Sequence, residues 1–212
     1  MSEKSEHGQK ETARIESFSD GVFAIAITLL ILELIQTLHT FQGEPLQKLI
    51  FSHWESYVAF AIGFITILVC WINHHMLFSF IIKTESTLMW VNGFVLLVVS
   101  FTPFPTAVLA EYFSTESNIA LALFGFNYIM MSVASYWLTA YVFNRKLISE
   151  EGRKYFPGFK KIYLFSILYT IVCFFICFVS IPVAVFLYCI LFMFFAFPKE
   201  GSIFLFKNKF EK

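Results

Sequence analysis

Four stretches of the chain, residues 56–82, 86–110, 117–144 and 162–198, contain no Asp, Glu, Lys or Arg. They run 27, 25, 28 and 37 residues. A helix needs about 20 apolar residues to cross a bilayer, so each of the first three predicts one span. The fourth holds two short spans joined at Ser180-Ile181-Pro182, because proline after serine ends one helix and opens the next. Residues 18–38, with Asp20 and Glu33 near the ends, supply a sixth. The pattern therefore predicts an all-α integral membrane protein. Its domain covers 14–198, with spans at about 14–38, 55–82, 85–110, 117–143, 161–179 and 182–198, between a segment 1–13 and a tail 199–212.

Composition agrees with the pattern. The 212 residues are 58% hydrophobic, 20% aromatic and 14% charged, whereas soluble domains are about half apolar and about a quarter charged. A soluble sphere of this size could not hide that much apolar surface. The same numbers exclude a disordered chain, a nucleic-acid-binding tail and a secreted disulfide scaffold.

Charge placement orients the spans. Six spans put both termini and the loops after spans 2 and 4 on one side, and that side collects 14 of the 15 basic residues. Only Lys48 falls opposite. The positive-inside rule makes the basic side cytoplasmic, and predicts a multi-pass protein of the cell membrane. Ala24-Ile25-Ala26 has the small-x-small look of a cleavage site but lies inside the apolar run, so the first span is expected to remain. Basic residues between Lys146 and Lys161 could meet anionic headgroups, although the orientation bias already accounts for them.

Soluble chemistry is not indicated. Cys70, Cys173, Cys177 and Cys189 all fall in spans, without CxxC or Cys/His spacing for zinc, and read as packing residues. There is no P-loop, GxSxG or HExxH, and no TVGYG potassium filter. No enzyme, metal or cofactor is expected. Passage of an ion or solute, or an intramembrane site, is what remains.

Ionisable residues in a span cost about 2.5–3.5 kcal/mol at its centre and less near its ends. Span 1 opens Arg14-Ile15-Glu16-Ser17-Phe18-Ser19-Asp20-Gly21. These side chains suit helix initiation, with Ser19 or Asp20 as a cap, an ion-pair network of Arg14, Glu16 and Asp20 that anchors the helix, or a direct functional role. Span 2 ends Trp71-Ile72-Asn73-His74-His75 on the same side. His74 or His75 is therefore expected to meet Asp20 or Arg14, which would make the site pH-sensitive. Adjacent histidines point about 100° apart on a helix, a poor arrangement for holding one metal ion or haem. Along span 1, Ile25, Leu29, Leu32 and Gln36 recur as one stripe bordered by Thr28, with Gly21 a turn inward and Glu33 flanking it. The stripe alone fits a lipid face, a packed face or a pore lining.

Arg14-x-x-x-Phe18-Ser19-Asp20-Gly21, continuing Val22-Phe23-Ala24-Ile25-Ala26-Ile27-Thr28-Leu29-Leu30, resembles the first helix of the transmembrane protein 175 family. Trp71-x-x-His74, Asn92 and Pro103-Phe104-Pro105 resemble the family pattern in spans 2 and 3. The resemblance implies a potassium-preferring cation channel, assembled as a homotetramer whose first helices line a central pore. By position it implies that Ile25 forms the narrowest hydrophobic layer, followed by Thr28, Leu29 and Leu32, with permeating K+ near Ile25 and Thr28. It makes Arg14, Ser19, Asp20, Trp71 and His74 a polar cluster that braces the first helix. Four copies of Ile25 around an axis would make a hydrophobic gate that passes ions only when wetted. Glu33 and Gln36 would stand at the outer mouth, where a ring of glutamates would concentrate cations.

Two other readings are compatible with the residues. A proton-leak or proton-coupled transporter would use Asp20 and His74 as a protonatable pair, but paired broken helices from internal repeats are not visible. A redox or enzymatic membrane subunit would use His74 and His75, and predicts a bound metal or haem.

Overall fold

The computed structural model describes residues 3–40, 43 and 45–196, without the side chains of 3–10, 33, 37–40, 49, 52, 192 and 194–196. The tail 199–212 and the side chain of Glu33 lie outside the described residues. Eight helices follow one another: α1 Glu3–Thr40, α2 Leu46–Ser52, α3 Trp54–Phe78, α4 Ser86–Phe101, α5 Pro103–Tyr112, α6 Ser117–Asn144, α7 Glu150–Ile176 and α8 Ile181–Ala196. Among the described residues five segments are long and apolar enough to cross a membrane: Glu11–Gln36, Trp54–Phe78, Ser86–Tyr112, Ser117–Asn144 and Glu150–Ile176. The sixth apolar helix, α8, has 16 residues, about 24 Å at 1.5 Å per residue, which is shorter than the roughly 30 Å hydrocarbon layer.

Three local features depart from the sequence expectation. Helix α1 starts at Glu3 and so absorbs most of the segment expected to precede the first span. The third span is two helices, because Pro103 has no N–H to continue the ladder and its ring crowds the Val99 carbonyl. At this break Thr102 N–H bonds the Val99 carbonyl at 3.1 Å. The Thr102 hydroxyl accepts from Asn127 Nδ2 at 3.0 Å, which ties the kink to α6 inside the bundle. The third departure is α7, which begins at Glu150, well before the expected 161. Ser149 caps it by accepting from Gly152 N–H at 3.1 Å, with Glu150 and Glu151 in the first turn where the helix dipole favours acids. Arg153, Lys154, Lys160 and Lys161 therefore lie on a helix emerging from the apolar layer.

The basic loops at one end are joined. Helix α6 ends in a Schellman turn: Leu147 N–H bonds the Val142 carbonyl at 3.0 Å and Lys146 N–H bonds Phe143 at 3.1 Å. Lys146 occupies the left-handed position at φ 56°. From there Ile148 bridges Ile81 antiparallel, pinning the α3–α4 connection to the α6–α7 connection. Phe80 lies against Gly152 closely enough that a Cβ there would stand 2.9 Å from it.

Two apolar cores hold the bundle. Phe23, Ala26 and Leu30 of α1 pack with Ile67, Phe78, Leu88, Val99 and Leu138. A second core joins Leu109, Leu121 and Phe124 to Cys173, Cys177, Ala184 and Tyr188. Helix α1 therefore lies to one side of the bundle, packed on α3, α4 and α5.

Candidate functional site

Every 3.6 residues an α-helix returns to the same face, and α1 uses this to present two different surfaces. Thr12, Ser19, Phe23, Ala26 and Leu30 are buried against the bundle. The opposite surface carries Phe18, Gly21, Ile25, Thr28, Leu29, Leu32 and Gln36, all exposed. Ile25 is 61% exposed, against 1% for its neighbour Ala26. No atom lies within 4 Å of a Cβ placed on Gly21. Thr28 turns its hydroxyl back onto the Ile25 carbonyl at 2.9 Å.

This stripe differs from the exposed face of α7, and is closer in kind to that of α4, where Gly93 and Ser100 lie beside Leu97. The outward face of α7 is Leu164, Phe165, Leu168, Val172 and Phe175, bulky and wholly apolar as a surface against acyl chains is. The α1 stripe mixes aliphatic layers with glycine, threonine and glutamine.

Toward the basic end, α1 is held by a polar chain. His74 Nε2 donates to Asn92 Oδ1 at 2.7 Å, and Asn92 Nδ2 donates to the Ser19 hydroxyl at 2.9 Å. Ser19 in turn donates to the Ile15 carbonyl at 2.8 Å. This direction of donation places the proton of a neutral imidazole on Nε2. Nδ1 is buried and has no partner among the described residues, and the ring stacks on Phe78 at 4.4 Å. Three further ties reach α1: Trp71 Nε1 donates to Asp20 Oδ1 at 2.8 Å, His75 Nδ1 lies 2.9 Å from Glu16 Oε1, and Thr84 donates to Glu11 at 2.7 Å. Trp71 and His75 also stack on each other.

The structure thus gathers Ser19, Asp20, Trp71 and His74 at one junction, but not as the expected histidine–carboxylate pair. His74 bonds Asn92, and Asp20 bonds Trp71. The histidine that meets a carboxylate is His75, on Glu16. Arg14 is exposed and has no hydrogen bond or ion pair with the described residues, so the network of Arg14 with Glu16 and Asp20 does not form within the protomer. The reason is helical: at about 100° per residue, Arg14 points roughly 200° from Glu16 and 240° from Asp20. The two adjacent histidines diverge onto different partners, and among the described residues no three His, Cys, Asp or Glu side chains converge as a metal site.

Several contacts had no signal in the sequence. Glu11–Thr84 and Ser132–Ser166 join residues that nothing local marks as partners. At the basic corner Glu85 accepts from Arg145 Nε at 3.0 Å and Nη2 at 3.2 Å, and from the Tyr141 hydroxyl. These donors hold the Glu85 carboxyl below its ordinary range, Arg145 first and Tyr141 second.

Residues 14–103 match the sequence profile of the family described as endosomal/lysosomal potassium channel TMEM175. The chain is 38% identical over 181 residues to a protein of Chamaesiphon minutus named as a potassium channel, covering 84% of this chain and 89% of that one. A potassium channel of Streptomyces collinus is 41% identical over 126 residues, 58% of this chain and 61% of the relative. The fold superposes with a TM-score of 0.77 on the crystal structure of a lysosomal potassium-selective channel TMEM175 homolog from Chamaesiphon minutus. That match has 34% identity and spans 89% of this chain and 98% of the other.

Proposed function

The chain belongs to the TMEM175 family, whose members are channels rather than enzymes, and from that premise we propose that it is a potassium-preferring cation channel. Four copies assemble about one axis in the cell membrane, with the exposed stripe of each α1 turned inward. Ile25 forms the narrowest ring, Thr28 and Leu29 the next layer, and Leu32 a further one. Glu33 and Gln36 stand at the outer mouth. Permeating K+ passes Ile25 and Thr28 largely stripped of water.

The observation that carries this reading is the two-faced α1. One face is fixed to α3, α4 and α5 by apolar packing and polar ties, and the other is left open with glycine, threonine and glutamine among its aliphatic layers. A helix so held can line a conduit without being crushed into its own protomer. Between Ile25 and Leu32 the aliphatic stretch is about 10 Å long, and such a constriction conducts only when wetted. Dehydration favours the larger, more weakly hydrated potassium ion, though by less than a carbonyl-lined filter achieves. The junction of Ser19, Asp20, Trp71, His74 and Asn92 braces α1 beneath the constriction, and Arg14, without a partner among the described residues, faces outward where a neighbouring subunit would stand.

In proteoliposomes, Ile25→Asn should raise cation flux and reduce the preference for K+ over Na+, because an amide wets the ring. Unchanged flux and unchanged preference would remove Ile25 from the conduction path.

A further inference from the structure

Helices α6 and α7 run antiparallel, and two contacts set their levels. The Ser132 and Ser166 hydroxyls bond at 2.8 Å, and the Phe143 and Phe156 rings stack with centroids 6.2 Å apart. Counted from these, Lys154 of α7 stands level with Asn144, the last residue of α6. Lys161 lies seven residues deeper, about 10 Å at helical rise. It therefore sits beside a stretch that α6 crosses without any Asp, Glu, Lys or Arg. A lysine at such a depth is costly unless its ammonium reaches a polar partner.

The protein supplies none. Lys154 and Lys161 are exposed, and neither has a hydrogen bond or ion pair among the described residues. Their neighbours in the chain are engaged: Arg153 pairs with Glu150 at 3.2 Å, and the Lys160 ammonium sits 5.4 Å from the centre of the Phe143 ring. At about 100° per residue, Lys154 and Lys161 fall on the same face as the exposed Phe165, Leu168 and Val172. Side chains lean toward the N-terminus of their helix, which on α7 is the basic end, so Lys161 carries its ammonium back toward the headgroups. The positive-inside rule asks only for basic residues at this end. It does not ask that the two without partners continue the face that suits acyl chains.

We propose that this face of α7 seats an anionic phospholipid of the leaflet on the basic side, its chains along Phe165, Leu168 and Val172 and its phosphate at Lys161. Lys154, about two turns further out, selects the headgroup. It attracts a head of net negative charge and repels the ammonium that a zwitterionic head carries beyond its phosphate. The site lies within one chain and does not depend on the pore reading.

The test titrates the full chain, purified in detergent, with dioleoyl phosphatidylglycerol or dioleoyl phosphatidylethanolamine and reads lipid-bound species by native mass spectrometry. Phosphatidylglycerol should bind about fivefold tighter, the effect of one lysine near a headgroup. Lys154→Gln should erase that preference, and Lys161→Gln should weaken binding of both lipids. Lys160→Gln, which removes a charge held on Phe143 at nearly the same depth, should leave both affinities unchanged. Equal binding of the two lipids by the wild type, or a preference that survives Lys154→Gln, would overturn the proposal. So would Lys161→Gln without effect, or a loss in Lys160→Gln as large as in Lys161→Gln, since surface charge without a seat would then account for the binding.

Discussion

Asn92 shows what one residue can do where water is absent. Its amide accepts from His74 and donates to Ser19, so it bridges α3 to α1 from a position on α4. It is 2% exposed. Removing it strands the buried His74 Nε2–H, a group that costs about 1–3 kcal/mol when left unpaired, and takes a donor from Ser19, which keeps its bond to Ile15. Asn92→Ala should therefore lower the unfolding temperature of the purified protein in detergent clearly more than Asn73→Ala, whose amide only bonds its own helix at Val69. Equal losses would mean the bridge does not matter to stability. The same logic explains why Trp71 and not His74 takes Asp20. The indole has a single N–H donor and no acceptor, and the carboxylate is the acceptor it meets, while the imidazole finds a partner able both to accept and to pass a donor onward.

At the scale of elements, the ends of the helices carry more information than their middles. The turn after α6 needs a left-handed residue, a conformation that costs roughly 1–2 kcal/mol for a side chain other than glycine. Lys146 supplies it at φ 56°. Lys146→Gly should raise stability by up to about 1 kcal/mol, measured as a higher unfolding temperature; a drop would mean that the lysine side chain contributes a contact worth more than the strain. The corner beside it is tied by Glu85, whose carboxyl is held below its usual value by Arg145 and Tyr141. A depressed carboxyl pKa means that the unfolded chain takes up the proton first as acid is added. The tie is thus fully present above the ordinary value of 4.5 and is lost as pH falls through the lowered folded value. Stability should rise with pH across that window, and Glu85→Gln should flatten this part of the profile. An unchanged slope in the variant would show that other carboxyls set it.

For the whole molecule, the proposed pore turns on a relation between copies. Within one protomer an exposed stripe on α1 and an exposed stripe on α7 are both apolar helix surface, yet their compositions suit different neighbours. Cysteine placed at Ile25, in a background with the four native cysteines changed to serine, should form disulfide-linked dimers on mild oxidation in the membrane. Cysteine placed at Phe175 should not. Cross-linking at both positions or at neither would contradict an arrangement with α1 at a shared axis.

How much of this was legible beforehand follows from which forces are local. The apolar runs and the asymmetry of Lys and Arg are properties of consecutive residues. A helical membrane protein was therefore readable without coordinates, as was the motif that marks the family. The α1 stripe was readable too, because its period is that of one helix. The start of α7 was not, since a serine cap outweighed the basic residues that looked like a loop. Nor was the choice of partners at the junction. Arg14, Glu16 and Asp20 are close in the chain but point apart around the helix, while Asn92 and Ser19 are 73 residues apart and touch. Local periodicity determines what each helix can bury; only the packed bundle decides which buried polar group answers which, because a hydrogen bond depends on ångström-scale geometry that chain order does not encode.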